Sequence, residues 1–551
     1  MAAAHKKSGK FTEIERKFDV DETAVTPSFD GLTSVAQVDA LPVQTLDAVY
    51  YDTAGHDLAR HRITLRRRTG GEDAGWHLKL PAGDNAPDAR TEIRLPLDGA
   101  GDVPADLRDI VLAVVRDRPL NPVARIATTR HVRMLYAADG SALAEFCDDE
   151  VTAGAFPDGG PETPVGSWRE WELELAEGCG DRARLDRLGQ RLHDAGATPA
   201  GHGSKLARVL DAAAAGTEPA DTPGPPPADP IHRAVAQQVA ELITWDRAVR
   251  ADAYDSVHQM RVTTRKLRSL LKESEESFGL TDDAWVLEEL RQLASILGVA
   301  RDAEVLAEKY QKTLDELPPD LIRGPVRERL VDGARKRYES GWRRSLAAMR
   351  TNRYFRLLDA LEELVTAEPA AADTHAPAEH APVTIDAAYK RVRKAARTAE
   401  AAAAAESPDR DEALHRIRKG AKRLRYTAAA TGKSAVSDAA KTIQTLLGDH
   451  QDAVISRTHV AQQAAAAHAA GEDTFTYGVL YQLEEELSQR CRDQLDGALK
   501  SLRRSTTSGA WYSMTPPITL GAPSMSTLSL SQTSTVPSCG STKTLPAFRS
   551  W

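Results

Sequence analysis

Five short stretches before residue 176 carry charge at every second position. They are Glu13, Glu15 and Lys17 in EIERK; Arg66 and Arg68 in LRRRT; His77 and Lys79 in WHLKL; Arg90, Glu92 and Arg94 in RTEIR; and Glu170, Glu172 and Glu174 in REWELEL. Side chains at i, i+2 and i+4 of a β-strand share one face. Each stretch therefore gathers charge on one side, with apolar groups such as Ile14, Trp171 and Leu173 on the other, where Arg16 also stands beside Ile14. Guanidinium and ammonium groups suit phosphate oxygens, and clustered carboxylates suit hard divalent cations. One such strand alone is most simply a wet sheet face. Repeated strand after strand, with cations and carboxylates concentrated in different strands, the pattern predicts a closed barrel with the charge inside. The ligand that uses both charge sets is a phosphate chain bound through Mg²⁺ or Mn²⁺. Hydrolysis of its terminal phosphoryl group needs little beyond in-line water and electrostatic clamping.

A second chemistry lies further along. HQMRVTTRKLR places His258, Arg261, Arg265 and Arg268 at offsets 0, +3, +7 and +10; HRIRKGAKRLR places His415, Arg418, Lys422 and Arg425 at the same offsets. These positions form one stripe of an α-helix, beside an apolar stripe of Val257, Met260, Thr264 and Leu267 or of Leu414, Ile417, Ala421 and Leu424. From Ser256 to Lys272 there are five Lys/Arg and no acid; from Leu414 to Arg425 there are six and no acid. A solvated helix face usually mixes charge signs, whereas rows of like charge need an external counter-ion. The two histidines lack His or Cys neighbours at ligand spacing, so phosphate hydrogen bonding is preferred to metal binding.

The elements that must position these groups divide the chain. Its 551 residues exceed one domain. Strand signals bounded by Gly, Pro or Asp dominate up to residue 211. After a Pro-rich linker at 212–229, Ala/Leu/Arg/Glu-rich stretches of helical period fill 230–504, with a softer interruption at 367–382. The tail, 505–551, is Ser/Thr/Pro-rich and expected to be disordered. The fold class is thus α+β: an antiparallel β-barrel, then an all-α duplicated helical bundle, the linker predicting that the two separate physically. The duplication rests on the histidine rows and on a second ordered match, LGVARDAEVL at 297–306 against LGDHQDAVIS at 447–456, which pairs Leu297, Gly298, Asp302 and Val305 with Leu447, Gly448, Asp452 and Ile455.

Composition excludes several classes. No apolar run approaches the ~20 residues that span a bilayer, and the polar N-terminus carries no signal-peptide pattern, so a cytoplasmic protein is expected. Cys147, Cys179, Cys491 and Cys539 are scattered without metal or disulfide spacing. A net charge of −9 argues against a general nucleic-acid binder, and the basic rows lack interleaved aromatics for base stacking.

EIERK resembles the ExExK signature of the CYTH superfamily, the triphosphate tunnel metalloenzymes. Arg66 and Arg68, Lys79, Arg90 and Glu92, Arg125 and Arg130, the acidic REWELEL and Lys205 in SKLARVL follow in the family's order. The resemblance covers residues 9–211. It implies a tunnel barrel binding triphosphate with divalent metal. The family includes inorganic, thiamine and RNA triphosphatases and one class of adenylate cyclase. Carried over, Glu13 and Glu15 would hold metal with two of Glu170, Glu172 and Glu174, helped by Asp148. Lys17, Arg66, Arg68, Lys79, Arg125 and Lys205 would grip phosphates, with Arg90, Glu92 and Arg130 in the same set. Ala127 stands where a further basic residue would fit.

Residues 230–504 resemble the CHAD domain, a duplicated helical domain with recurring histidines that often follows CYTH; Lys422 in place of an arginine is a departure. That resemblance implies binding of inorganic polyphosphate by His258, Arg261, Arg265, Arg268, His415, Arg418, Lys422 and Arg425, and association with polyphosphate granules. The expected activity is metal-dependent hydrolysis of tripolyphosphate, with long-chain polyphosphate held by the helices. Alternatives are a non-enzymatic polyphosphate binder, or a triphosphatase or cyclase acting on thiamine triphosphate or ATP.

Overall fold

The computed structural model describes residues 9–82, 88–97, 99, 101–176, 181–214, 230–281, 284–366, 385–405, 410–430 and 432–507. The expected tail from residue 508, linker residues 215–229 and the interruption at 367–382 lie outside them.

Ten strands form one antiparallel sheet: β1 (Gly9–Val20), β2 (Gln37–Ala40), β3 (Gln44–Asp52), β4 (Thr64–Thr69), β5 (Gly75–Pro81), β6 (Ala89–Leu95), β7 (Asn121–Tyr136), β8 (Ala142–Ala155), β9 (Thr163–Leu175) and β10 (Thr198–Pro199). Eight of them close in the order β1-β6-β5-β4-β3-β7-β8-β9 and back to β1. β1 makes the closure by changing partners along its length: Gly9–Ile14 pair with β6, and Glu15–Val20 with β9.

The register carries one face around the ring. Glu13 lies opposite Arg90, Glu15 opposite Glu174, Lys17 opposite Glu172 and Lys79 opposite Glu92. Arg66 lies opposite both Tyr50 and His77, and Asp149 opposite both Arg130 and Glu170. Directly opposed residues share a side of the sheet, so the charged rows read in β1, β4, β5, β6 and β9 line the interior, as the alternation predicted.

The other face is apolar where something covers it. Phe18, Phe146, Trp171, Leu173 and Leu175 pack against Leu185, Leu188 and Leu192 of the Arg182–Asp194 helix. Interior-face residues at one part of the ring are themselves apolar: Ala48, Tyr50, Ala124, Ile126, Val151 and Ala153 pack with Leu206 and Val209 of the Lys205–Ala214 helix. That packing fixes the helix whose first residue is Lys205.

After residue 230 the described residues are helical. The His258 row lies on the Ser256–Glu273 helix and the His415 row on the Arg410–Ala430 helix. Both expected apolar stripes are buried: Val257, Met260, Thr264 and Leu267 in one, Leu414, Ile417, Ala421 and Leu424 in the other. Two compact units result, Met1–Ala381 with Ile455–Glu484, and Pro382–Val454 with Glu485–Trp551. The division does not fall at the Pro-rich linker. Within the first unit, Leu65, Trp76 and Leu78 on the barrel's outer face share one core with Val235, Leu242 and Val249 of the Pro230–Arg250 helix. Buried Arg116 pairs with Asp359 and, at 2.7 Å, with Glu362; Asp109 accepts from Arg250 at 3.1 Å and Arg350 at 2.9 Å. The expected physical separation of barrel and helices thus meets a joint core, because the outer face of β4 and β5 is apolar and needs a cover.

Candidate active site

β1 supplies Glu13, Glu15 and Lys17 in one inward row, each answered by opposite charge from another strand. Lys79 of β5 reaches Glu13 at 2.5 Å and Glu15 at 3.8 Å; Lys17 lies 2.6 Å from Glu15 and 3.1 Å from Glu172. Arg94 of β6 pairs with Glu13 at 3.0 Å and with its row neighbour Glu92. Burial raises Glu13 above the usual carboxylate range, against the pull of Lys79. Burial would raise Glu15 as well, but Lys17 and Lys79 override it and hold the carboxyl at about 2. Glu174, opposite Glu15, is pushed up to about 8 by burial and by the nearby Glu13. Similar carboxylates in one tunnel thus hold their protons differently, set by burial and by the balance of like and opposite charges around each one.

A second acidic group sits where β8 and β9 pair. Asp149, Glu170 and Glu172 each place a carboxylate oxygen within 4.8 Å of the others. The Lys205 ammonium lies among them, 2.9 Å from Asp149, 2.7 Å from Glu170 and 2.7 Å from Glu172. Arg130 of β7 approaches Asp149 at 2.6 Å and Glu172 at 2.5 Å. Burial alone would favour a neutral lysine; Asp149, Glu172 and Glu170 reverse that and raise Lys205 well above its ordinary value. Lys17, Lys205 and Arg130 hold Glu172 well below its own, against the cost of burial. These residues fit a divalent cation: three converging hard oxygen donors already surround one positive charge.

The cations opposite are less fully matched. Arg66 of β4 donates to the Tyr50 hydroxyl at 3.3 Å. Arg68 pairs with Asp73. The buried Nε atoms of both arginines have no hydrogen-bond partner. Burial, with Arg66 and Arg130 nearby, pushes Arg68 down to about 9. His77 is buried between Glu92, at 2.9 Å, and the Asp73 carbonyl, at 2.9 Å; burial lowers it to about 3, which keeps it neutral. It positions Glu92 and adds no charge.

The structure therefore brings Glu13, Glu15, Lys17, Arg66, Arg68, Lys79, Glu92, Arg130, Glu170, Glu172, Glu174 and Lys205 to one interior. Arg90 shares that face, but its guanidinium donates to the backbone carbonyls of Arg62 and Gly203. Two expected residues lie elsewhere. Asp148 is opposite Trp171 on the outer face, held by Arg169 at 2.8 and 2.7 Å and by Thr26 at 2.7 Å. Arg125 is opposite Val49 and Gly154, half exposed, and forked onto Asp47 at 2.9 and 2.6 Å. Asp149 takes the inward place expected of Asp148. Tyr50 and Asp73 also join the site without a sequence signal, whereas Arg94 was legible in the RTEIR row.

The basic rows have different neighbours. Arg261 Nε donates to the Ala294 carbonyl at 3.3 Å and Arg268 Nε to the Leu287 carbonyl at 3.2 Å; Arg265 is exposed. In the second row Arg418 donates to Gln451 at 2.9 Å, His415 lies 3.3 Å from the same oxygen, and Arg425 donates to Gln444 at 3.3 Å. Among the described residues, Arg261, Arg265, Arg268, Arg418 and Arg425 make no ion pair with an acidic side chain. Other helix arginines do, such as Arg291 with Glu288 and Arg492 with Glu485.

Comparison with known proteins meets this geometry in the same order along the chain. The CYTH domain model matches residues 12–195 and the CHAD domain model residues 233–461. Two Mycobacterium tuberculosis relatives, the uncharacterized proteins MT2285 and Rv2226 of two strains, are each 64% identical over 507 residues, covering 90% of this chain and 96% of theirs. Among solved structures, PptA from Streptomyces chartreusis is 19% identical with a TM-score of 0.37, covering 50% of this chain and all of that one. The CHAD domain from the plant Ricinus communis is 20% identical with a TM-score of 0.32, covering 50% of this chain and 90% of that one. With the inward-charged barrel in front and the paired basic rows behind, the chain belongs to the family of two-domain proteins in which a CYTH domain, a triphosphate-tunnel barrel, precedes a CHAD domain.

Proposed function

We propose that the barrel, residues 9–211, hydrolyses inorganic tripolyphosphate with Mg²⁺ or Mn²⁺, and that the helical domain, 230–504, binds long-chain polyphosphate through its basic rows. One observation carries the first half: cations and carboxylates converge on one interior and leave Arg66 and Arg68 with unpartnered buried nitrogens. Pure anion binding gains nothing from so many buried carboxylates; a metal-bound phosphate chain uses both sets. A divalent cation, when bound, would neutralise phosphate charge. Asp149, Glu170 and Glu172 are the residues that would hold it, with Glu13 and Glu15 as the second carboxylate pair. Lys17, Arg66, Arg68, Lys79, Arg94 and Arg130 would then grip phosphate oxygens, and Lys205 would turn from carboxylate to phosphate. The interior ion pairs hold Arg94 and Arg130 in place before the ligand arrives, which would lower the reorganisation needed during reaction.

For the helices, the supporting observation is that, among the described residues, Arg261, Arg265, Arg268, Arg418 and Arg425 form no ion pair with an acidic side chain. Such rows attract dense polyanions, with affinity that falls as salt rises. No helix among the described residues is long and apolar enough to cross a membrane, and we place the protein in the cytoplasm, beside polyphosphate granules. The test is one activity panel: tripolyphosphate, pyrophosphate, ATP, thiamine triphosphate and long polyphosphate, each with Mg²⁺, Mn²⁺ or EDTA. Phosphate release from tripolyphosphate with either metal, and none in EDTA, is expected. Faster turnover of ATP or thiamine triphosphate would replace the substrate; full activity in EDTA would overturn the metal.

A further inference from the structure

The duplicated LG segments each put a glycine in mid-helix, Gly298 in Trp285–Glu316 and Gly448 in Ser434–Ala469. Glycine there weakens a helix relative to alanine. Neither residue has the positive φ that would require it. Both are buried, and what occupies the space beside each is an arginine. A Cβ added at Gly298 would meet Arg261 Nε at 3.3 Å and Nη2 at 3.6 Å; one added at Gly448 would meet Arg418 Nη2 at 3.4 Å and Cζ at 3.8 Å. The approach at Gly298 is tighter than ordinary packing, and the one at Gly448 lies at its near edge. The partner in each case is the first arginine of the basic row. The pairing survives a change in spacing, since 37 positions separate Arg261 from Gly298 and 30 separate Arg418 from Gly448.

We infer that Gly298 and Gly448 are positioning residues for anion binding, letting the guanidinium of Arg261 or Arg418 lie close against the neighbouring helix while the N–H groups its anchor does not use serve the ligand. Arg261 is anchored at its inner edge, where Nε donates to the Ala294 carbonyl, one turn before Gly298. Arg418 is anchored through Nη1 on Gln451, one residue short of a turn after Gly448. A Cβ at Gly298 crowds Arg261 at its anchoring Nε, whereas at Gly448 a Cβ just touches Arg418 and atoms beyond it crowd the guanidinium. The ligand is a phosphate chain, so this inference rests on the polyphosphate reading of the rows.

The test uses the full chain and long inorganic polyphosphate, with affinity measured by titration calorimetry over a range of salt. Gly298→Ala is expected to weaken binding about threefold and Gly298→Val about tenfold, the size of a forfeited charged hydrogen bond. The slope of log affinity against log salt should fall by up to about one, because one phosphate fewer is neutralised by the row. The alanine variant should keep or raise its melting temperature, because alanine favours the helix; a purely structural glycine would show its effect there and not in affinity. In an Arg261→Ala background neither substitution should change affinity further. Gly448 should repeat the pattern with Arg418. Alanine and valine variants that bind like the parent, or that lose as much in the Arg261→Ala background, would overturn the positioning role alone. A parent chain with no polyphosphate affinity would overturn the reading of the rows and the inference with it.

Discussion

The tunnel and the helical rows are both built from arginine, lysine and spaced apolar residues, yet they treat positive charge in opposite ways. In the tunnel Lys17, Lys79, Arg94, Arg130 and Lys205 each touch at least one carboxylate within 3.1 Å. In the rows the arginines meet backbone carbonyls and glutamine amides. The difference follows from burial. An unpaired charge inside a barrel costs several kcal/mol, so the interior must neutralise itself. A half-exposed helix face keeps water as its solvent and tolerates unpaired cations. Neutralised charge binds only a ligand that brings its own metal; open charge binds any dense polyanion. The same residue types thus predict a selective site in one region and a general grip in the other.

The contrast breaks most severely if carboxylates are removed from the tunnel. Glu15→Gln keeps the shape but leaves Lys17 and Lys79 short of a counter-charge. Tripolyphosphate turnover should fall at least about a hundredfold, while polyphosphate binding by the rows stays unchanged. Phosphate release and calorimetry on the same sample check both halves. A variant with parental turnover would show that the self-neutralised interior is scaffolding.

Next in size is the effect of cutting the chain after the barrel. A fragment of residues 1–214 exposes the outer face of Leu65, Trp76 and Leu78, and each large apolar side chain forfeits about 1.5–3 kcal/mol of burial. Against a total stability of about 5–15 kcal/mol, that deficit should lower its melting temperature well below that of a fragment running to residue 366, which restores the Pro230–Arg250 helix. Equal melting temperatures would make the barrel independent, as the Pro-rich linker alone predicts.

That linker shows where sequence is legible and where it is not. Alternation placed Glu13, Glu15, Lys17, Arg66, Arg68, Lys79 and Glu92 on one face because one side of each strand is apolar and the other charged. It failed in β8, where Phe146, Cys147, Asp148 and Asp149 are all buried. The Arg182–Asp194 helix covers one face there and the tunnel lies on the other, so no wet side marks the phase. Arg125 was partly decidable: five residues separate it from Arg130, and an odd separation on one strand puts the two on opposite faces. Lys205 was found through resemblance, and Glu170 and Glu172 by alternation, but their pairing with it was not, since a helix folding back onto a barrel leaves no local periodic signal. The joint core was illegible because residues 65–78 and 235–249 meet only in three dimensions.

Charge reversal tests the rows directly. Arg261→Glu with Arg265→Glu should weaken polyphosphate binding about tenfold or more and lower the salt slope by about two, one for each phosphate no longer neutralised. Arg418→Glu with Lys422→Glu should do the same if the duplicated rows work alike. Tripolyphosphate turnover should be unaffected in both. A reversal without effect would make that row ordinary surface, and a turnover change would mean that the tunnel senses the rows.

The smallest expected effect distinguishes two roles for the histidines. His415 lies 3.3 Å from the Gln451 oxygen that also accepts from Arg418. An imidazole there can meet that oxygen through one ring nitrogen and offer the other outward. His415→Ala should therefore cost no more than a few-fold in affinity, the size of a neutral hydrogen bond of about 0.5–1.5 kcal/mol. It should leave the salt slope intact, because counter-ion release is unchanged. His258→Ala should behave alike. A metal role predicts a different pattern: either variant would abolish binding, and EDTA would reproduce the effect in the parent chain. Polyphosphate titrations of both variants at two salt concentrations, with and without EDTA, separate the two. Retained slope with a few-fold weakening assigns the histidines to hydrogen bonding at the head of each row, and abolished binding makes them metal ligands.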